Sequence, residues 1–334
     1  MKKRENIVPK ISELDSRILK ILLKDGRTGY DSIAEECGEP KNKIWKRCKA
    51  MEKKGIITGA TVQINFGQLG YVALATLLIS IEAQQMEQAM GFTEKITEVR
   101  AYRQYNSVYN IRAVATLRDL NELDNIKQLI KRKLPTTGLK TYIWSGVRNI
   151  PENLNITQTT KDTIKENKLN SSQSINKIGN EIIIDDIDKL ILEKLTTNGR
   201  ASFTKIAKEM DLSTDTVIKR YHKLIENNTV KVSVQVNPTI IGYRSILDFN
   251  IAFTTSSGLM ENVIDSLSKI QDLIIITKIS GDYDLHLTAM VRDLEQSFNI
   301  QDQISSVCGI TKIETSSRKI PESWPTPMQH ISTV

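Results

Sequence analysis

Six polar residues in one short stretch, Lys41, Asn42, Lys43, Lys46, Arg47 and Lys49, have the spacing of one side of a helix. Ile44, Cys48 and Met51 fall at i, i+4 and i+7, so a helix here buries those three and turns the cations outward. Ammonium and guanidinium groups neutralise phosphate, and Arg or Asn can also read a base edge through paired hydrogen bonds. A second stretch repeats the arrangement: Ser213, Thr214, Thr216, Lys219, Arg220 and Lys223 surround an apolar stripe of Val217, Tyr221 and Leu224. Residues 40–54 hold seven Lys or Arg and one acid, whereas 213–228 hold three and two. The first face is therefore expected to grip a polyanion more tightly and to weaken faster with salt. A solvated basic helix would show the same cations. DNA is favoured because the face sits on the third helix of a three-helix unit, and because the unit occurs twice.

That repetition sets the elements that carry the two faces. Asp15-Ser-Arg-Ile-Leu-Lys-Ile-Leu leads to Gly26-Arg27, and Asp188-Lys-Leu-Ile-Leu-Glu-Lys-Leu leads to Gly199-Arg200, at a constant offset of 173. Leu14, Ile18, Leu19 and Leu22, like Ile187, Ile191, Leu192 and Leu195, form the stripe of a first helix. Asp31 and Thr204 are N-cap types for a short second helix. Gly55 and Asn228, residues that readily turn left-handed, close the third. Alternation at Val230, Val232, Val234 and Val236, matched by 56–64, then predicts a hairpin wing, which makes each unit a winged helix-turn-helix.

Beyond each wing the pattern reads strand, helix, strand, strand, helix, strand, the order of a ferredoxin-like sheet. The expected class is α+β, with two tandem units, each a winged helix-turn-helix followed by a ferredoxin-like βαββαβ domain. The boundaries read from the sequence are 12–66 and 67–151 for the first copy, 182–238 and 239–321 for the second, a polar linker at 152–181 and a tail at 322–334. Because Ala73 to Ile81 is apolar on both faces, the open face of the first sheet is expected to be covered by a second sheet, from the other half or from another chain.

Composition narrows the function. The chain of 334 residues carries 46 Lys and Arg against 39 Asp and Glu, a net of +7. The excess is uneven, with 26 basic against 16 acidic residues in 1–151 and 16 against 19 in 182–334. A basic balance favours polyanionic partners such as double-stranded DNA or acidic lipid. No apolar core follows the basic start, and no stretch reaches the ~18 apolar residues of a membrane span, so a cytoplasmic protein with no membrane contact is expected. Cys37, Cys48 and Cys308 are unclustered, which fits a reducing compartment. No spacing suits a metal and no glycine loop suits a nucleotide, so no cofactor is expected.

Taken in order, Asp25-Gly26-Arg27, Ile33-Ala34, Lys46-Arg47, Gly55-Ile56-Ile57, Leu69-Gly70-Tyr71 and Gly281-Asp282-Tyr283-Asp284 resemble the Lrp/AsnC, or feast/famine, family of transcription regulators. The resemblance covers both halves and leaves out the linker and the end of the chain. It implies sequence-specific DNA reading, a regulatory domain that pairs through its sheet, and an amino-acid effector near Gly281, Asp282, Tyr283 and Asp284. The first copy has Ser107-Val108-Tyr109-Asn110 there, so only the second is expected to keep such a site; a plain hairpin turn is the competing reading. Two other functions fit the same architecture. Siroheme decarboxylases resemble it, and Tyr102-Arg103 with Tyr109-Asn110 is loosely similar to their active-site strand, but His222, His286 and His330 give acid–base chemistry little to work with. An architectural chromatin protein of low sequence specificity fits the charge equally well.

Overall fold

The computed structural model describes residues 11–96, 98–157, 184–254 and 259–331. Most of the stretch read as a linker, 158–181, lies outside the described residues. Its first part does not behave as a linker: Leu154 and Ile156 are buried, and the Asn153 amide donates to the carbonyls of Ser268, Ile270 and Leu273 at 2.8 to 3.0 Å.

Each half opens with three helices: α1 (Glu13–Lys24), α2 (Tyr30–Cys37) and α3 (Lys41–Lys53), then α6 (Asp186–Thr197), α7 (Phe203–Glu209) and α8 (Thr214–Glu226). Ser12 with Asp15, and Asp185 with Asp188, form reciprocal capping boxes that fix where α1 and α6 begin. The second helices start earlier than expected, after Gly29 and Ser202, which leaves Asp31 and Thr204 inside the first turn. Gly55 and Asn228 take the left-handed conformation that ends α3 and α8, with φ of +70° and +53°.

The predicted hairpin wing is corrected by the structure. Each half contributes one strand, β1 (Ile57–Ile64) and β6 (Val230–Val236), and the two pair antiparallel with each other. Alternation marks a strand but cannot say which strand it pairs with, so a ribbon shared between halves looks like a hairpin within one. The ribbon draws the first helices across as well, since α1 packs on β6 and α6 on β1. Gly26 donates to the Val232 carbonyl at 2.9 Å and Gly199 to the Ala60 carbonyl at 2.8 Å, so the repeated Gly-Arg turn is a joint between the halves. Segment 322–334 is likewise more than a tail over its described part. Trp324 is buried and exchanges backbone hydrogen bonds with Val236, while residues 328–331 bond to Val62 and Ile64, covering both ribbon edges.

The remaining strands are β2 (Ala73–Ile81), β3 (Val99–Arg103), β4 (Ile111–Leu117) and β5 (Thr136–Asn149), with α4 (Met86–Thr93) and α5 (Asn121–Lys133) between them. The second half repeats this as β7 (Ser245–Phe253), β8 (Leu273–Ser280), β9 (Leu285–Val291) and β10 (Ile310–Lys319), with α9 (Leu259–Leu267) and α10 (Leu294–Ser305). The strand orders β5-β2-β4-β3 and β10-β7-β9-β8 are ferredoxin-like. The long β5 joins them, pairing with β2 through its first part and with β8 through its last. At the opposite edge Tyr105 and Ser317 exchange two backbone hydrogen bonds, so the eight strands close on themselves. Ala75, Leu77, Ala113 and Ala115 meet the helices of the first half, as Phe249, Ile251, Leu285 and Leu287 meet those of the second. The intervening residues of each strand turn into the space between the sheets.

Candidate nucleic-acid interface

Burial on α3 fixes what the helix can offer a partner. Ile44, Cys48 and Met51 pack into the core, and burial raises the Cys48 thiol pKa to about 11, which makes it a small apolar filler. Lys41, Asn42, Lys43, Lys46 and Lys49 are exposed. Three of these lysines make short contacts at 2.7 Å, Lys41 with Asp31, Lys43 with Glu39 and Lys49 with Glu52. Exposed pairs of this kind contribute about 0–1 kcal/mol, so a phosphate can displace them. Lys46 makes no ion pair among the described residues. Trp45, which the sequence reading passed over, stands 47% exposed among these cations.

Arg47 departs from the expectation. Its Nε donates to Asp15 at 2.7 Å and its terminal nitrogen to Ser12 at 3.1 Å, tying α3 to the start of α1. Burial would push the Asp15 carboxyl up, but the Arg47 and Ser12 hydrogen bonds overcome it and hold the carboxyl below its usual range. Arg220 does the same in the second copy, reaching Asp185 at 2.7 Å and Asp188 at 2.9 Å. Both arginines therefore tie the third helix of each unit to the start of the first. The signal was present in the sequence, since Asp15–Arg47 and Asp188–Arg220 share a separation of 32 residues.

On α8, Ser213 is the N-cap and accepts the Thr216 amide hydrogen bond at 3.1 Å, so its hydroxyl is committed to the helix. Lys219 and Lys223 remain exposed, and Thr214 and Thr216 half-buried. Thr216, Lys219, Arg220 and Lys223 line an open depression of about 370 Å³ with Asp185 at its side. The second face is thus assembled on the same helix but carries fewer free cations.

The four residues expected at an effector site make contacts within and between the halves. A Cβ on Gly281 would lie 2.5 Å from the Tyr142 ring, so the glycine is there for close approach. Asp282 pairs with Lys140 of the first half at 2.6 Å, and the Tyr283 hydroxyl donates to Glu314 at 2.6 Å. Asp284 accepts the Phe253 amide at 3.0 Å, and Asn110 holds the end of β2 in the same way through Ile81. The turn joins β8 to β9 and braces one half on the other.

His286 lies between the sheets, its Nδ1 3.0 Å from the Asn250 side chain, and burial lowers its pKa to about 4. His330 is lowered to about 4 by burial as well, while His222 is exposed on α8. Among the described residues no group of three His, Cys, Asp or Glu could hold a metal ion.

Two family models match the three-helix units: a winged helix-turn-helix DNA-binding model over residues 11–58 and an AsnC-type helix-turn-helix model over residues 184–225. The chain is thus a helix-turn-helix protein of the transcription-regulator class, with one unit in each half. The HTH-type transcriptional regulator FL11 of Pyrococcus furiosus is 31% identical over 134 residues, which cover 40% of this chain and 87% of the relative. The HTH-type transcriptional regulator LrpA of Pyrococcus horikoshii is 34% identical over 116 residues, covering 35% and 82%. The chain belongs to the Lrp/AsnC family of regulators, with two copies of the family unit in tandem. Among solved structures, that of the siroheme decarboxylase NirDL shares the fold over 97% of this chain and 95% of its own, with a TM-score of 0.63 at 14% identity.

Proposed function

We propose that the chain reads duplex DNA as a covalently linked dimer, with α3 and α8 each entering a major groove and α3 supplying most of the phosphate contact. The observation that carries this is the α3 face, where four exposed lysines project from a helix whose one arginine is occupied in holding the reader together. The shared β1–β6 ribbon supports two readers at a fixed separation, as a two-fold or pseudo-two-fold DNA site requires. Further assembly of whole chains into larger oligomers is compatible with this arrangement.

Regulation without catalysis is supported by the histidines, since His286 and His330 are buried and held neutral. The likeness to the decarboxylase is one of fold. The commitments of Asp282, Tyr283 and Asp284 support a joint between the halves at that turn in place of an amino-acid pocket. Among the described residues no helix is long and apolar enough to cross a membrane, and the proposed site of action is the cytoplasmic DNA.

Competition tests the reading. Genomic fragments captured by the intact chain are set against random duplex at 0.15 M salt. A preference on the order of 10³-fold or more for one set of fragments is expected. Equal affinity for every duplex would favour an architectural protein that coats DNA.

A further inference from the structure

The space between the two sheets holds a polar layer in which one guanidinium has no partner at its terminal nitrogens. Asp248, His286, Thr288 and Ser316 enter it from the second sheet, Arg112 and Gln104 from the first, and all six are more than nine-tenths buried. The Asp248 carboxylate is satisfied within the second sheet. Asp248 accepts from Arg318 Nε at 2.8 Å and from Thr288 Oγ1 at 2.9 Å, and it lies 3.5 Å from His286 Nε2. Arg112 has no such arrangement. It is 1% exposed, and neither of its terminal nitrogens has a hydrogen-bond partner. The Gln104 side-chain amide, just beyond β3, donates to Ser316 Oγ of the second sheet at 2.8 Å.

The unpartnered guanidinium follows from the fusion of two unlike copies. Arg112 and His286 occupy the same position on β4 and β9, and the first-half equivalent of Asp248 is Thr76, which accepts from Trp144 Nε1 at 2.8 Å. The first half thus supplies a cation with no acid beside it. Burial keeps His286 neutral, and Arg112 and Arg318 both act on the single carboxylate of Asp248. Glu314, the other acid on this face of β10, accepts the Tyr283 hydroxyl hydrogen bond and keeps its charge there. A buried guanidinium whose terminal nitrogens have no acceptor costs several kcal/mol unless one joins it.

We propose that a compact monoanion, a halide or a small carboxylate, binds between the two sheets against the Arg112 guanidinium. Such a ligand would complete the layer that joins the halves, and its binding does not depend on DNA reading.

Thermal melting of the full chain at constant ionic strength tests this, with sodium gluconate, whose anion lies outside the compact class proposed, replaced stepwise by sodium bromide or sodium acetate. The melting temperature is expected to rise by roughly 5 °C and then to saturate, as site binding requires. A response to bromide alone assigns an inorganic ion, and a response to acetate alone assigns a carboxylate. Arg112→Met should abolish the response while melting no lower than the native chain in gluconate, because it removes an unpaired buried charge. Arg112→Lys should keep a weaker response. Should Arg112→Met fail to fold, anomalous scattering from native crystals grown in bromide decides, with a peak expected beside Arg112. The same anion dependence in Arg112→Met, no response to either anion, or no bromide peak at Arg112 overturns the proposal.

Discussion

Replacing Lys41, Lys43, Lys46 and Lys49 together with glutamine is expected to weaken duplex binding by roughly 100-fold or more near 0.1 M salt and to leave the fold intact. Each lysine that neutralises a phosphate contributes about 0.9 to the slope of log affinity against log salt, so four should reduce that slope by about 3 to 4. The fold survives because all four side chains are exposed and three make only surface ion pairs. Arg47→Met should give the opposite result. The salt slope should change little, but the first reader should lose roughly 1–3 kcal/mol, because Asp15 would be left buried without its partner. Parallel salt titrations and thermal melts of the two variants separate reading from scaffolding. A quadruple variant that binds duplex as tightly as the native chain would show that α3 does not meet the DNA.

Gly26→Ala and Gly199→Ala are expected to be among the most damaging single substitutions outside the core. A Cβ on Gly26 would sit 2.7 Å from the carbonyl carbon of Ser233, and one on Gly199 would sit 2.9 Å from both the amide nitrogen and the carbonyl oxygen of Thr61. These are backbone atoms of the other half's ribbon strand, so no side-chain rotation relieves the clash and the turn has to lift away. Overpacking of this kind costs about 1–3 kcal/mol at each site. Both turns lean on the ribbon around Val232, so the double variant is not expected to be additive. Duplex affinity should fall with stability, because the two readers lose their fixed spacing. Gly29→Ala is the control: nothing lies within 4 Å of its added carbon, and it should melt within about 0.5 kcal/mol of native. Equal stability of Gly26→Ala and Gly29→Ala would contradict the joint assigned to the Gly-Arg turn.

The parts legible in the sequence are those fixed by local periodicity. The Ile44, Cys48 and Met51 stripe located α3, and the matching stripe of Val217, Tyr221 and Leu224 located α8, because a helix buries every third or fourth residue whatever surrounds it. The strand order of each sheet could be read from element order alone. What escaped was pairing at long range. Val230 to Val236 alternates as any strand does, and nothing in those residues says that the partner is Ile57 to Ile64 of the other half. The segment after Pro321 looked like a loose end, since Trp324 and Ile331 are too few to show a period, yet both are buried against the ribbon. Helical spacing predicts Arg47 and Arg220 as outward cations, because it cannot reveal a buried acid 32 residues away. The Gly281–Asp284 turn was expected at a ligand site on resemblance, and its neighbours Tyr142 and Lys140 come from the opposite half of the chain.

Hydroxyl-radical footprinting of one chain on one duplex tests the linked-dimer reading most directly. Two protected patches are predicted on the same face of the duplex, separated by a whole number of helical turns, with the patch beneath α3 the last to fade as salt rises. A single patch from one chain, with a second appearing only when another chain binds, would show that the two halves do not read DNA together.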